Sequence, residues 1–435
     1  DEQGGRVLQF AGDSLLAAFG RDGAREDDAE RAVRTGLALL EAGRDEGRRV
    51  QARFGHAGFN VRVGVHTGMV LLGGGVDEDG SIRGMTVNLA ARMEQSAPPG
   101  ALRISHDTWR HVQGLFEVQA QPPLMVKGRD APVTTYLVQR ALPPGQTRPA
   151  RGVEGLATPL LGRAAELARL LAALDAVRRG GRARGCTVLA EAGLGKSRLV
   201  DELLQAVDVR ATSLQGPPRL MARAHAASQG QPYFVLRELL ANWLQITDSD
   251  TADSARARFS AGLAPFFAGE GEAPVHLLGQ LIGLDFSDSP HLLAVDPRQL
   301  RDRALVAFGQ LLQALAAQQG EPVLLIADDL HWADEASLDA LLQWMDAPLP
   351  VLVLGLARPA LLERRPTWAE GVAGQERLLL EALGPADSQA LAAALLHRLP
   401  QVPPALTDLL IKQSAGNPYY MEELLKMLID DGVVA

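Results

Sequence analysis

Three groups of residues in this chain of 435 have types and spacings that could do chemistry. The first is Ala190-Glu191-Ala192-Gly193-Leu194-Gly195-Lys196-Ser197, set between an apolar run and a helical pattern. Gly193 and Gly195 would let successive backbone N–H groups face a polyphosphate, and the following helix N-terminus would add partial positive charge. Lys196 would reach the β- and γ-phosphates, and the Ser197 hydroxyl would ligate Mg²⁺. Ala190 stands where the usual Gly-x4-Gly-Lys-Ser/Thr pattern has glycine, and Ala tolerates fewer backbone conformations. The bland alternative is an incidental glycine turn beside a surface lysine. The second group is Val323-Leu324-Leu325-Ile326-Ala327-Asp328-Asp329, a buried-strand run ending in two carboxylates. Beside a phosphate loop, Asp328 would hold the Mg²⁺ and Asp329 would orient or deprotonate an attacking water. Many strands end in Asp, so this run gains its meaning from Lys196 and Ser197 at a domain-sized separation. The third group lies near the start of the chain. Asp13 sits in a turn, and Asn88 and Arg92 lie four apart on one helix face. Taken by residue type alone, that face reads as solvated surface.

The elements that must position these groups fall into two blocks. Residues 1–140 read as mixed α and β. Val7–Phe10 and Leu15–Phe19 flank Ala11-Gly12-Asp13-Ser14 as a hairpin, and a helical pattern runs over 26–49. Val61–Val65 and Met69–Leu72 flank His66-Thr67-Gly68 as a second strand–turn–strand. A helix near 86–95 and strands near 101–104 and 133–138 follow. Strands sharing one layer with two helices suggest an α+β sandwich of ferredoxin-like kind. Residues 141–158, dense in Pro and Gly, predict a linker. Beyond it, helices at 164–177 and 196–206 alternate with strands at 186–190, 219–223, 322–327 and 350–356, a long helical region lying between 219–223 and 322–327. That alternation predicts a parallel, doubly wound α/β sheet over 159–384, followed by an all-helical segment, 385–435.

Composition excludes several function classes. The balance of 43 basic against 52 acidic residues gives a net charge of −9, without a basic block, which argues against nucleic-acid binding. Apolar residues at 47% and charged residues at 22% exclude wholesale disorder. The apolar run 347–357, about eleven residues, is too short to span a bilayer. A single cysteine, Cys186, precludes an intrachain disulfide and fits a reducing cytoplasm. Only four lysines, Lys127, Lys196, Lys412 and Lys426, in an Arg- and Ala-rich chain fit a GC-rich bacterial genome and draw attention to each lysine kept. The chain opens on Asp1 and ends in mid-pattern at Ala435, which suggests a fragment.

Several motifs carry family resemblances. Asp329-Leu330-His331-Trp332-Ala333-Asp334 resembles the segment after the second Walker motif of AAA-related signalling ATPases of the STAND class. Pro159-Leu160-Leu161-Gly162-Arg163 with Glu166 resembles their opening motif. Gly416-Asn417-Pro418-Tyr419-Tyr420-Met421-Glu422-Glu423-Leu424-Leu425 resembles their helical element that senses adenine nucleotide through Pro418. Arg358 matches their strand-end arginine near the γ-phosphate. The resemblance runs from 159 to 435 and implies a switch in which ATP-bound and ADP-bound forms differ in how the helical subdomain docks.

Residues 1–140 resemble class III nucleotidyl cyclases. The motifs are Gly4–Gly20, Val63-Gly64-Val65-His66-Thr67-Gly68, Gly84–Met93, and Val126-Lys127-Gly128-Arg129 through Val138. The implied reaction is attack of the ribose 3′-oxygen on the α-phosphorus with release of pyrophosphate. Two Mg²⁺ or Mn²⁺ ions held by two carboxylates would assist it. By resemblance Asp13 is one of those carboxylates, and the other should precede residue 1. Asn88 would orient the ribose, Arg92 would stabilise charge on the α-phosphate, and Arg129 would bind the triphosphate. Such sites form across a dimer. Gln9 stands where adenylyl cyclases place lysine, and Ser81 where they place aspartate or threonine, so the purine pocket departs from the family pattern; Gln retains donor and acceptor capacity without charge.

The domain order resembles that of bacterial multidomain signalling cyclases and soluble adenylyl cyclases. The expectation is a cytoplasmic homodimeric cyclase making cyclic AMP from ATP, coupled to an ATP/ADP-binding switch. The rival from another class is a pseudo-enzyme: a dimerising or sensing first block on an ATP-gated scaffold. A transcriptional regulator of the STAND kind would need a DNA-binding domain, and these residues carry no such motif.

Overall fold

The computed structural model describes residues 5–20, 27–68, 70–72, 82–83, 85–126, 132–142, 158–210, 216–246, 250–293, 295–397, 399 and 402–430. The chain divides into two compact units, Asp1–Glu154 and Gly155–Ala435. None of the described helices is long and apolar enough to cross a membrane.

The first unit begins with the antiparallel hairpin β1 (Arg6–Ala11) and β2 (Ser14–Ala18), turned at Gly12 with φ of 63°. Helix α1 (Asp28–Phe54) follows, then β3 (Val63–Val65), the short pair β4 (Leu71–Leu72) and β5 (Ile82–Arg83), and α2 (Met85–Ser96). The unit closes with β6 (Leu102–Ser105), α3 (His106–Val112), β7 (Phe116–Leu124) and β8 (Val133–Ala141). A four-stranded sheet has the order β3-β6-β8-β7, with β3 and β6 parallel and the remaining pairs antiparallel. Val33 and Leu40 of α1 pack on Leu102 and Ile104 of β6, whereas Leu89 and Met93 of α2 pack with Val126 and Val133. Gly64 decides where α2 lies. A Cβ there would come within 2.0 Å of Glu94 N and 2.7 Å of Ala90 O, so only glycine admits so close a helix. Of the strand expected over Met69–Leu72, Leu71–Leu72 is a strand, Val70 is not, and Met69 lies outside the described residues; α3 and β7 are additions to the sequence reading.

The second unit is built on five parallel strands. In chain order its elements are α4 (Ala164–Gly180), β9 (Arg184–Leu189), α5 (Lys196–Arg210) and β10 (Arg219–Arg223). The helical region comprises α6 (Phe234–Trp243), α7 (Ala252–Leu263), α8 (Ala273–Leu281) and α9 (Pro297–Gln319). Then come β11 (Val323–Asp328), α10 (Glu335–Met345), β12 (Val351–Ala357), α11 (Ala360–Arg364) and β13 (Gln375–Leu379). The last described elements are α12 (Pro385–Leu396), α13 (Pro404–Ser414) and α14 (Pro418–Asp430). Strand order is β10-β11-β12-β9-β13, every pair parallel. Alternate residues of β11 serve two cores. Leu324 and Ile326 face Leu170, Leu199 and Leu203 of α4 and α5, while Val323, Leu325 and Ala327 face Phe308, Leu311 and Leu341 of α9 and α10. A strand covered on both faces must be apolar throughout, which is why these strands read as unbroken hydrophobic runs.

Candidate functional site

Because the strands of the second unit are parallel, their C-terminal ends lie along one edge, where ligands of such sheets bind. The segment Ala190–Gly195 leaves β9 there and enters α5. Gly193 and Gly195 have φ of 81° and 92°, a left-handed region closed to most side chains. Ala190 has no such requirement; it is buried and its N–H continues the ladder to Ala357 O at 3.1 Å, so the missing first glycine leaves the turn intact. Lys196, 9% exposed, donates from Nζ to Ala190 O at 2.7 Å and Glu191 O at 3.0 Å. Its ammonium is thereby folded back over the loop, with half-buried Ser197 beside it in the first turn of α5.

Asp328 ends β11, and Asp329 turns the chain with a left-handed φ of 55°, a strained conformation of the kind that gathers at working sites. Asp329 N donates to Asp328 Oδ1 at 2.8 Å, and Arg223 Nε, from the end of neighbouring β10, donates to Asp329 Oδ2 at 3.0 Å. The two carboxyls are driven apart. Burial, together with the adjacent Asp329 charge, pushes Asp328 up to about 6. Burial works to raise Asp329 as well, but Arg223, with His331 and Arg358, outweighs it and holds that carboxyl below its ordinary range. His331, in the turn Leu330–Trp332, accepts the backbone N–H of Arg358 at Nδ1 over 3.5 Å and lies 3.8 Å from Asp329 Oδ1. Arg358 follows β12, the strand between those bearing the loop and the aspartates.

The C-terminal helices reach this edge. Asn417 Nδ2 donates to Ala192 O at 3.0 Å, Tyr419 N to Gly193 O at 3.3 Å, and Asn417 Oδ1 accepts Tyr420 N at 3.3 Å in the first turn of α14. A Cβ on Gly193 would lie 2.5 Å from Asn417 Oδ1, so the loop glycine also makes room for this contact. Pro418 opens α14, but the loop contacts come from its neighbours. Arg163, 6% exposed, donates to Leu194 O at 3.3 Å and to Glu381 O, binding the opening motif to the loop.

These residues fit a nucleotide polyphosphate with a divalent cation. Gly195 has open space where a Cβ would stand, and Arg358 Nε is buried without a hydrogen-bond partner among the described residues. Lys196 and the two carboxyls supply charges of the signs that phosphate and metal need.

The first unit presents a more open arrangement. Gln9 and Asp13 are exposed on the β1–β2 hairpin, where Phe10 is 76% exposed. Asn88 and Arg92 lie on the exposed face of α2, opposite buried Leu89 and Met93; Arg92 donates to Gln95 Oε1 at 2.8 Å. Asp13 and the Asn88–Arg92 pair thus come from separate elements, and nothing described joins them within the chain. Ser81 and Arg129 lie outside the described residues. A polar seam holds β3 to α3 nearby: His66 Nδ1 is 2.8 Å from Ser105 Oγ, and Thr67 Oγ1 donates to Thr108 Oγ1 at 3.1 Å.

Sequence reasoning missed the roles of Arg223, Asn417 and Arg163. A charge closing a strand beside β11 was the one available signal for Arg223; Asn417 and Arg163 sat inside quoted motifs without an assigned contact.

Comparison with known proteins agrees with this division. Residues 2–140 match the family model of the adenylate and guanylate cyclase catalytic domain, and residues 159–354 match that of an AAA ATPase domain. An uncharacterized protein of Rhizobium meliloti is 28% identical over 438 residues, covering 96% of this chain. The chain spans 39% of the length of that relative. Among solved structures, the adenylyl cyclase CyaB from P. aeruginosa is similar at 28% identity over 32% of this chain and 73% of that one, with a TM-score of 0.31. The guanylyl cyclase Cya2 is similar at 28% identity over 34% and 76%, also with a TM-score of 0.31. The chain therefore joins a domain of the adenylate and guanylate cyclase catalytic family to an AAA ATPase domain.

Proposed function

We propose that the protein is a cytoplasmic signalling nucleotidyl cyclase that converts ATP to cyclic AMP and pyrophosphate, governed by a nucleotide-binding switch in its second unit. The observation that carries the reading is the exposed placement of Asp13, Asn88 and Arg92, three polar groups that lie outside the buried cores of the first unit. In this reading the substrate site forms between two copies of the chain. Asp13 of one copy holds Mg²⁺ or Mn²⁺; Asn88 and Arg92 of the other orient the ribose and receive charge on the α-phosphate. The ribose 3′-hydroxyl loses its proton, its oxygen bonds to the α-phosphorus, and the bond to the pyrophosphate oxygen breaks. Arg129 assists at the triphosphate, and Gln9 with Ser81 contacts the purine.

In the second unit Gly193, Gly195, Lys196 and Ser197 cradle ATP or ADP with Mg²⁺. Asp328 supports the cation, Asp329 orients water, Arg358 faces the γ-phosphate, and the helix opened by Pro418 responds to which nucleotide is bound. The boundaries proposed are 1–140 for the cyclase domain, 141–158 for the linker, 159–384 for the ATPase domain and 385–435 for the helical subdomain.

The test is cyclic-nucleotide production from ATP and from GTP, with Mg²⁺ and then Mn²⁺, in the wild type and in Asp13→Asn. Cyclic AMP lost in the variant supports the reading; cyclic GMP keeps the enzyme and reverses the purine. A second reading, the ATP-gated scaffold, is favoured by Gln9, an uncharged amide on the exposed hairpin. No product from a protein that dimerises and binds ATP would establish it.

A further inference from the structure

The helical region between β10 and β11 contains a side-chain cluster remote in sequence from the phosphate loop. Glu272 immediately precedes α8, His276 lies one turn later, and His291 follows in the loop after Phe286. The i, i+4 spacing puts Glu272 and His276 on one face. One ligand-capable atom from each of the three lies within 4.8 Å of the other two.

The cluster has a supporting structure behind it. Ser289, 2% exposed, places its Oγ 2.8 Å from His276 Nδ1 and accepts the backbone N–H of His291 at 3.2 Å. One buried hydroxyl therefore engages the ring of His276 and the backbone of His291. The His276 ring stacks on buried Phe286 at 4.7 Å, and the Arg256 guanidinium lies 4.4 Å from the centre of the Phe286 ring. Arg256 is itself paired with Asp288 at 2.6 Å, so its charge beside the cluster is balanced. An imidazole whose Nδ1 is engaged by an outer hydrogen bond coordinates through Nε2, the usual arrangement at metal centres. A carboxylate alone at a helix N-terminus would only complement the helix dipole. Two imidazoles converging on it are what change the chemistry.

Two nitrogen donors and one carboxylate suit Zn²⁺ and its transition-metal neighbours, whereas Mg²⁺ and Ca²⁺ take oxygen donors. Metal–nitrogen bonds of about 2.0–2.1 Å bring donors closer together than the 4.8 Å within which these atoms lie. Glu272 and His291 are exposed and can close that gap by side-chain rotation. We propose that Glu272, His276 and His291 bind a divalent transition-metal ion, with water completing the coordination. The ion clasps the start of α8 to the loop carrying Ser289 and His291.

The full chain, stripped with chelator, dialysed and kept free of nucleotide, would be titrated with Zn²⁺ alone against a chromophoric competitor. One equivalent binds, and His291→Ala or Glu272→Gln weakens it about tenfold or more. Both altered positions are exposed, so the fold is retained, as circular dichroism would verify. Zn²⁺ raises the thermal midpoint of the wild type and not that of the double variant. Co²⁺ absorption bands change between wild type and His291→Ala. Binding weaker than about 100 μM, or unchanged in the double variant, would overturn the proposal.

Discussion

Asp328 and Asp329 are adjacent carboxyls whose surroundings shift them in opposite directions, and the difference has a measurable sign. With Asp328 at about 6 in the fold against an ordinary 3.8, the folded chain binds a proton that the unfolded chain releases over that interval. Stability from this group is therefore present at low pH and lost as pH rises through about 6. In metal-free protein, Asp328→Asn should raise unfolding stability at pH 8 by about 1–3 kcal/mol and bring no gain near pH 4. Urea titrations at the two values check it, and equal gains at both would refute the assignment. The same substitution should weaken Mg²⁺-dependent nucleotide binding. Lys196→Ala should lower ATP affinity by roughly 10–100-fold. It should cost the fold about 1 kcal/mol, the hydrogen bonds to the carbonyls of Ala190 and Glu191 being among what it loses. Calorimetric titration with ATP, alongside a melting curve, separates the two effects.

Among the elements, the segment after the second strand-end pair owes its shape to Asp334. Its Oδ1 accepts Ser337 N at the start of α10 and Tyr233 N at 2.9 Å, and its Oδ2 accepts Phe234 N at 3.1 Å at the start of α6. One buried carboxylate thus caps two helices. Asp334→Ala should destabilise by about 2–4 kcal/mol, because it removes a cap and strands buried N–H groups; a urea midpoint unchanged from wild type would refute this. Such contacts mark the limit of what the sequence discloses. The strands Arg219–Arg223, Val323–Asp328 and Val351–Ala357 were legible within a residue or so, since burial on both faces leaves continuous apolar runs. The turn Ala190–Gly195 between β9 and α5 was legible because its residues are contiguous. Strand β7 escaped because it carries Pro122 and Pro123, which an edge strand accommodates and a central one does not. β13 escaped as a five-residue edge strand with charges inside it. Arg223 on Asp329 and Asn417 on Ala192 escaped because 106 and 225 residues separate the partners. Local pattern carries no information across such distances.

For the whole molecule, the proposed cyclase site predicts complementation. If Asp13 and the Asn88–Arg92 pair act from different copies, Asp13→Asn and Arg92→Ala should each be inactive alone. Co-refolded together they should recover up to about a quarter of wild-type activity, because a mixed dimer contains one intact site of two. Activity that stays at background on mixing, in dimers shown to be mixed, would place all three residues in one copy. The second unit carries a different kind of connection. The carboxamide of Asn417 meets the phosphate loop through its nitrogen and the first turn of α14 through its oxygen. Helix onset and loop geometry therefore share one side chain, and neither can change without the other registering it. Reciprocity follows: whatever factor nucleotide applies to the docking of α14, a ligand or protein that grips α14 must apply to nucleotide affinity. Under the proposed switch, α14 can be pulled as a lever as well as read as a gauge.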